Sequence, residues 1–223
     1  MNSESDSLRS QIKRWVSEAQ VNDEPASWFD KLYDAANRTS EQVPWAGMKP
    51  HPALERWLEH HPAPPTGKSV LVLGCGLGDD AIAWFQAGYQ VTAFDISPTA
   101  IAWCRERFPE ALVDFQVADL FALPSAWQQG FDFAYSSRTI QSLPLSIRTN
   151  AIQAAIAPVK SSGSFLMITQ LRPEESSSDG PPWPLSRDEL ALFNKQGLQL
   201  ANELMISSES QTVWLEYRFH RNA

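Results

Sequence analysis

The sequence predicts an α/β protein built on a doubly wound, seven-stranded sheet that is mostly parallel and ends in an antiparallel hairpin. Three observations carry that prediction. Apolar strand-like runs alternate with helix-like segments from Lys68 onward, the pattern of parallel strands joined by right-handed crossovers. A glycine-rich turn, "GCGLG" from Gly74 to Gly78, joins the first such run to the first such helix. The last two strand-like runs leave no room for a helix between them, so they are expected to pair as a hairpin.

The first ten residues are polar and are expected to fray. "LRSQIKRWVSEA" and "ASWFDKLYDAA" then place Ile12, Trp15 and Val16, and after them Trp28, Phe29, Leu32, Tyr33 and Ala36, at helical spacing. A Pro-punctuated connection follows, with a short helix around Leu54 to Leu58 and a Pro-rich linker closing at Gly67. This divides one compact domain into a helical segment with its linker over 1–66 and a main α/β unit over 67–223.

Within the main unit, "SVLVLG" reads as a buried strand, "DDAIAWFQAG" as a helix stopped by Gly88, and "QVTAFD" as the second strand. "SPTAIAWCRERF" is a helix with Ser97 as N-cap and Pro98 at its first position. "VDFQVAD", "FDFAYSS" and "SFLMITQ" supply three more strands, with "IRTNAIQAAIAPVK" read as a helix before the last of them. Ser186 and Glu189 form a capping box that opens another helix, and "LQLANELMIS" and "TVWLEYRFHR" make the hairpin. The Ser-rich "EESSSDG" reads as a mobile loop.

Composition narrows the function classes. A formal net charge of -8 over 223 residues argues against a broad grip on nucleic-acid phosphates. The opening residues lack the basic and apolar regions of a signal peptide, and no apolar run approaches the ~20 residues of a membrane span. Cys75 and Cys104 share no metal-binding or CxxC spacing. The expectation is a cytoplasmic protein with a small-molecule partner and no metal, membrane or nucleic acid; monomer and dimer both stay open.

Ligands of such sheets bind at the carboxyl ends of the strands, near the point where strand order reverses, and the glycine turn falls there. A dinucleotide turn is written GxGxxG, but here Gly74 and Gly76 are followed by Asp79 in the third position, with Asp80 beside it. Two carboxylates in the first helical turn would repel a pyrophosphate and satisfy the helix dipole themselves. S-adenosylmethionine fits better: it has no phosphate, a sulfonium cation and a ribose diol. Asp95, 21 positions after Gly74, ends the second strand where a carboxylate can take that diol. Asp119 ends the third strand, where it can accept from the adenine amino group, with Leu120 and Phe121 flanking the ring.

The ordered set of glycine turn, Asp95 and Asp119 resembles class I S-adenosylmethionine-dependent methyltransferases, and in detail their thiopurine, halide and thiol methyltransferase branch. The branch features are Pro44 and Trp45, "VLGCGLGDD" from Val72, and "GPPW" from Gly180 to Trp183. The resemblance implies a Rossmann-like sheet under an N-terminal helical lid, and transfer of a methyl group to a small acceptor, with S-adenosylhomocysteine as product. It implies that Gly74, Cys75, Gly76, Gly78, Asp79, Asp95, Ile96, Asp119, Leu120, Phe121 and Ser136 hold the cofactor, with Trp45 over it from the lid. Tyr135, Arg138, Arg148 and Trp183 are the acceptor-side candidates. Leu73 stands where the branch has proline, and Ser136 and Ser137 where an acidic residue is common.

Methyl transfer from a sulfonium is an in-line displacement, so a thiolate or halide acceptor needs alignment and a dry site rather than a general base. No dedicated base is expected among His51, His60, His61 and His220. Trp28 is expected in the core and Trp45 at the cofactor, where cation–π attraction to a sulfonium is available. Two rival readings remain: a non-catalytic cofactor-binding or regulatory protein on the same fold, and a nicotinamide-dependent oxidoreductase. Asp79 and the lack of a Tyr-x-x-x-Lys pair weigh against the second. A nucleic-acid methyltransferase would show an Asn-Pro-Pro-Tyr-like motif or a Pro-Cys nucleophile after the fourth strand, and "FDFAYSSRTIQSLP" shows neither.

Overall fold

The computed structural model of the protein describes residues 2–22, 24–64, 67–173 and 180–219. The loop expected to be mobile, the end of the last strand and His220 fall largely outside those residues. Three helices come first: α1 over Asn2–Val21, α2 over Ser27–Ala36 and α3 over Pro52–His60. Fraying was expected over the first ten residues, yet α1 is helical from Asn2. Burial of Ile12, Val16 and Ala19 pins its C-terminal half, and no Pro or Gly interrupts propagation back through the polar residues.

The main unit follows as β1 (Ser69–Leu73), α4 (Asp79–Gln86), β2 (Gln90–Asp95), α5 (Pro98–Arg107), β3 (Asp114–Val117) and β4 (Phe131–Ser137). It continues with α6 (Arg148–Ile156), β5 (Val159–Gln170), α7 (Arg187–Lys195), β6 (Leu198–Ser207) and β7 (Thr212–Phe219). The seven strands lie in the order β3-β2-β1-β4-β5-β7-β6. β1 to β5 are mutually parallel, β7 runs antiparallel to β5, and β6 and β7 form the expected hairpin. Strand order reverses between β1 and β4, which opens a crevice at their carboxyl ends.

Both predicted caps form. The Ser97 hydroxyl accepts from Ala100 N, and the Ser186–Glu189 capping box is complete. One boundary moves: Val159 and Lys160, read as the end of a helix, begin β5, which is 12 residues long. Ala157 still has helical geometry, at φ -53° and ψ -34°, but Pro158 has no N–H to continue the helical hydrogen bonds.

Every residue of "VLVL" in β1 is buried because the strand is central and both of its faces are covered. Leu71 and Leu73 pack with Ile152, Met167 and Phe193 on the α6 and α7 side, whereas Val70 and Val72 join Trp57, Ile82, Trp84 and Trp214 on the α3 and α4 side. α1 and α2 build a third cluster, in which Trp28, Leu32 and Tyr33 meet Leu77, Ala100, Trp103 and Trp183. The N-terminal helices therefore lean on α5 and the glycine turn. Among the described residues no helix is long and apolar enough to cross a membrane.

Candidate functional site

A cavity of about 960 Å³ opens over the carboxyl ends of the central strands, walled by the glycine turn, the ends of β2 and β4, and the lid residues Trp28, Phe29, Tyr33 and Trp45. Its floor depends on glycine. Gly74 has φ +57°, and a Cβ there would lie 2.5 Å from Thr139 Cγ2. Only a residue without a side chain permits that approach. Thr139 Oγ1 then donates to Leu73 O at 2.8 Å, tying the turn after β4 to the end of β1.

Asp95 is buried at the cavity wall. Gly76 N donates to its Oδ2 at 2.9 Å and Ser97 N to its Oδ1 at 3.0 Å. Burial outweighs these bonds and pushes its carboxyl up to about 6. Each oxygen keeps a lone pair for another donor. Asp119 lies on the same wall and caps the short turn Leu120–Ala122 by accepting from Phe121 N at 2.9 Å. Ile96, Leu120 and Phe121 line the cavity as well. Above them Trp45 Nε1 donates to Tyr33 Oη at 2.8 Å, and the Trp45 ring meets Trp28 and Phe29 edge-on. Trp28 is buried in the lid core and its ring also reaches the wall.

Four residues expected at the site stand elsewhere. Gly78 is absent from the wall; a Cβ on it would approach Cys104 Sγ at 3.1 Å and the Phe115 ring at 3.2 Å. It permits the close packing of helix and strand that the third glycine of a dinucleotide turn provides. Ser136 is fully buried with its hydroxyl unpaired, because side chains alternate along β4 and it is Tyr135 and Ser137 that face the cavity. Arg148, expected on the acceptor side, is 1% exposed. It donates to Leu143 O at 2.7 Å and Trp183 O at 3.0 Å and lies 3.5 Å from Glu189. Trp183 turns into the lid core, and Pro181 and Pro182 line the cavity in its place.

Asp79 also needs correcting. It lines the cavity, but its carboxylate is held by Arg107 at 2.7 and 2.9 Å. The repulsion of phosphate expected from it is largely cancelled by that pairing. Asp80 is engaged differently: His51 N donates to its Oδ1 at 2.7 Å and the Tyr135 hydroxyl to its Oδ2 at 2.9 Å. Burial raises its carboxyl above the ordinary range.

His51 is the residue that sequence reasoning missed. Its Nδ1 accepts from Ala53 N at 3.2 Å and caps α3, which leaves Nε2 as the protonated nitrogen of the neutral ring. Burial and the neighbouring Arg138 guanidinium lower its pKa to about 4. His51, Tyr135 and Arg138 thus gather at one part of the cavity wall. The available signal was weak: a histidine directly before a proline at a helix start reads as a cap. His60 and His61 instead bond to backbone carbonyls of their own helix. Cys75 lines the cavity, and both cysteines are free thiols. Among the described residues no cluster of His, Cys, Asp and Glu could hold a metal.

Comparison with known proteins agrees with this architecture. Residues 70–163 match the family model described as a methyltransferase domain. A thiopurine S-methyltransferase of Legionella pneumophila (strain Corby) is 30% identical over 125 residues, 56% of this chain and 54% of the relative. A probable thiol methyltransferase 2 of Arabidopsis thaliana is 29% identical over 151 residues, 66% of this chain and 64% of the relative. The chain therefore spans about half the length of the first of these relatives. The crystal structure of a Burkholderia thailandensis 1,6-didemethyltoxoflavin-N1-methyltransferase, with S-adenosylhomocysteine bound, superposes with a TM-score of 0.62 at 18% identity, covering 87% of this chain and 86% of that one. The class I methyltransferase resemblance read from the glycine turn, Asp95 and Asp119 is borne out.

Proposed function

We propose that this chain is an S-adenosylmethionine-dependent methyltransferase that moves a methyl group to a small-molecule acceptor, a thiol, halide or similar soft nucleophile. The observation that carries the proposal is that Gly74, Gly76, Asp95 and Asp119, read independently from the sequence, all border one cavity of about 960 Å³. Its residues suit the cofactor. Gly76, without a side chain, faces Tyr33 and Trp45 across the cavity, and the buried Asp95 carboxylate retains acceptor capacity for a ribose diol. Bound there, S-adenosylmethionine supplies an electrophilic methyl group on a sulfonium.

The chain's own residues would align and shield. Asp95 would take the ribose hydroxyls, and Asp119, Leu120 and Phe121 the adenine. Trp45, oriented by its bond to Tyr33, would close over the cofactor and exclude water. Tyr135, His51 and Arg138 would meet the acceptor. A soft nucleophile fits this set because His51, with Nδ1 already accepting from Ala53, has no lone pair on its other nitrogen to act as a base. The relatives named as thiopurine and thiol methyltransferases support the same acceptor class. Two free thiols suit a reducing cytoplasm.

The test is calorimetric titration of S-adenosylmethionine, S-adenosylhomocysteine and NAD into the wild type and Asp95→Ala, followed by mass-spectrometric detection of methylated products from a thiol and halide panel. Micromolar binding of the sulfonium cofactor that weakens at least tenfold in Asp95→Ala supports the proposal. Binding of NAD alone would overturn it, and cofactor binding without turnover of any acceptor would favour a regulatory protein.

A further inference from the structure

The acidic and basic side chains of the cavity wall differ in how they are held. Its four aspartates are all engaged: Asp79 by Arg107, Asp80 by His51 N and Tyr135, Asp95 by Gly76 N and Ser97 N, and Asp119 by Phe121 N. The wall also carries Arg9 and Lys13 of α1, Lys49 of the lid connection and Arg138 after β4. Among the described residues none of these four cations has an ion pair or a side-chain hydrogen bond. The wall thus carries four basic and four acidic side chains, and among the described residues it is the basic ones that have no partner of their own.

Arg138 is the most telling of the four. Its φ is +62°, in the left-handed region that disfavours a residue with a side chain. The strain is locked from both sides, because Arg138 N donates to Ile168 O at 2.9 Å and Arg138 O accepts from the Ser142 hydroxyl at 2.9 Å. Strained backbone that is held this firmly marks a side chain whose direction matters. That side chain lies on the cavity wall near the His51 ring, which offers Nε2–H as a donor, and Lys49 lines the same cavity two residues before His51.

Building on the proposed methyltransferase activity, we infer that the methyl acceptor carries an acid group, a carboxylate or an anion of similar size, received by Arg138 with His51 Nε2–H and Lys49 beside it. This group is distinct from the nucleophile and fixes which end of the acceptor enters first. The guanidinium presents a planar fork to it, and the neutral His51 adds a hydrogen bond without competing for the charge. The cofactor also has a carboxylate, so the experiment must separate the two.

S-adenosylhomocysteine is titrated first into the wild type, Arg138→Gln and Arg138→Lys. The cofactor-saturated proteins are then titrated with 3-mercaptopropionate, 2-mercaptoethanol and cysteamine, three short thiols ending in an anion, a neutral group and a cation. The expected result is at least tenfold tighter binding of 3-mercaptopropionate than of the other two. That preference should be lost in Arg138→Gln and largely kept in Arg138→Lys, with S-adenosylhomocysteine affinity within about twofold throughout. Equal binding of the three thiols to wild type, binding of none, or an unchanged preference in Arg138→Gln would overturn the inference. So would a tenfold loss of S-adenosylhomocysteine affinity in Arg138→Gln, since the arginine would then hold the cofactor's carboxylate. Failure of S-adenosylhomocysteine to bind the wild type would instead sink the methyltransferase reading, and this inference with it.

Discussion

Replacing Arg148 by methionine should cost a large part of the protein's stability and leave cofactor affinity alone. The arginine is 1% exposed and donates two charge-assisted hydrogen bonds, to Leu143 O and Trp183 O. Such bonds are worth about 1.5–3 kcal/mol each. Glu189 keeps a partner in Arg172 at 3.1 Å, so the loss falls chiefly on the two carbonyls. Methionine restores part of the apolar contact, which leaves a cost of about 3–5 kcal/mol. For a chain of this size that lowers Tm by about 6–20 °C. Scanning calorimetry measures the shift, and titration with S-adenosylhomocysteine should give a Kd within about twofold of wild type. Arg148→Lys should recover part of the loss, because one nitrogen, Nη2, donates to both carbonyls and an ammonium also offers more than one N–H from a single atom. A Tm within about 2 °C of wild type, combined with a raised KM for the acceptor, would refute the reasoning and return Arg148 to the acceptor site.

Three other expectations follow from named geometry. Asp95 has its carboxyl raised to about 6, against ~3.9 in the unfolded chain, so the contribution of its neutral form is fully present below about pH 4 and lost as pH rises through about 6. Urea unfolding of wild type against Asp95→Asn should show a difference of about 3 kcal/mol developing over that window; parallel pH profiles would contradict it. Gly74→Ala should destabilise by about 2–4 kcal/mol through its left-handed backbone and the contact with Thr139. Gly47→Ala, where a Cβ meets nothing closer than Lys49 O at 3.7 Å, should change stability by under about 1 kcal/mol in the same urea titrations. Tyr135→Phe removes the donor to Asp80 Oδ2 and should cost about 1–3 kcal/mol by thermal unfolding; no measurable cost would mean that water replaces the hydroxyl.

Local chemistry was legible wherever neighbouring residues decide it. The continuous apolar run of β1, the caps at Ser97 and Ser186, and the hairpin of β6 and β7 each depend on residues a few positions apart. The doubly wound sheet and its crevice followed from the alternation of strands and helices, whereas the order of the strands is seen only in the structure. The positions of Gly74, Asp95 and Asp119 followed in turn, because each ends a strand or opens the turn after one. Pro158 was equally visible as a helix stop, but the apolar pattern through Val159 continued past it and hid the start of β5.

What the sequence determined, then, is the fold and the set of strand ends that meet at the crevice, since hydrophobic period, caps and turn residues act over short distances. Tertiary structure decided which charges are free. Arg107 reaches Asp79 across 28 positions, Arg148 reaches Trp183 O across 35, and the Tyr135 hydroxyl reaches Asp80 across 55. No local pattern tells a paired aspartate from a guarding one, or a buried arginine from an exposed one. The same long-range packing brought His51 beside Arg138. Electrostatics in the cavity depends on partners that only folding brings together, and so the cofactor's place could be read from the chain while the acceptor's surroundings could not.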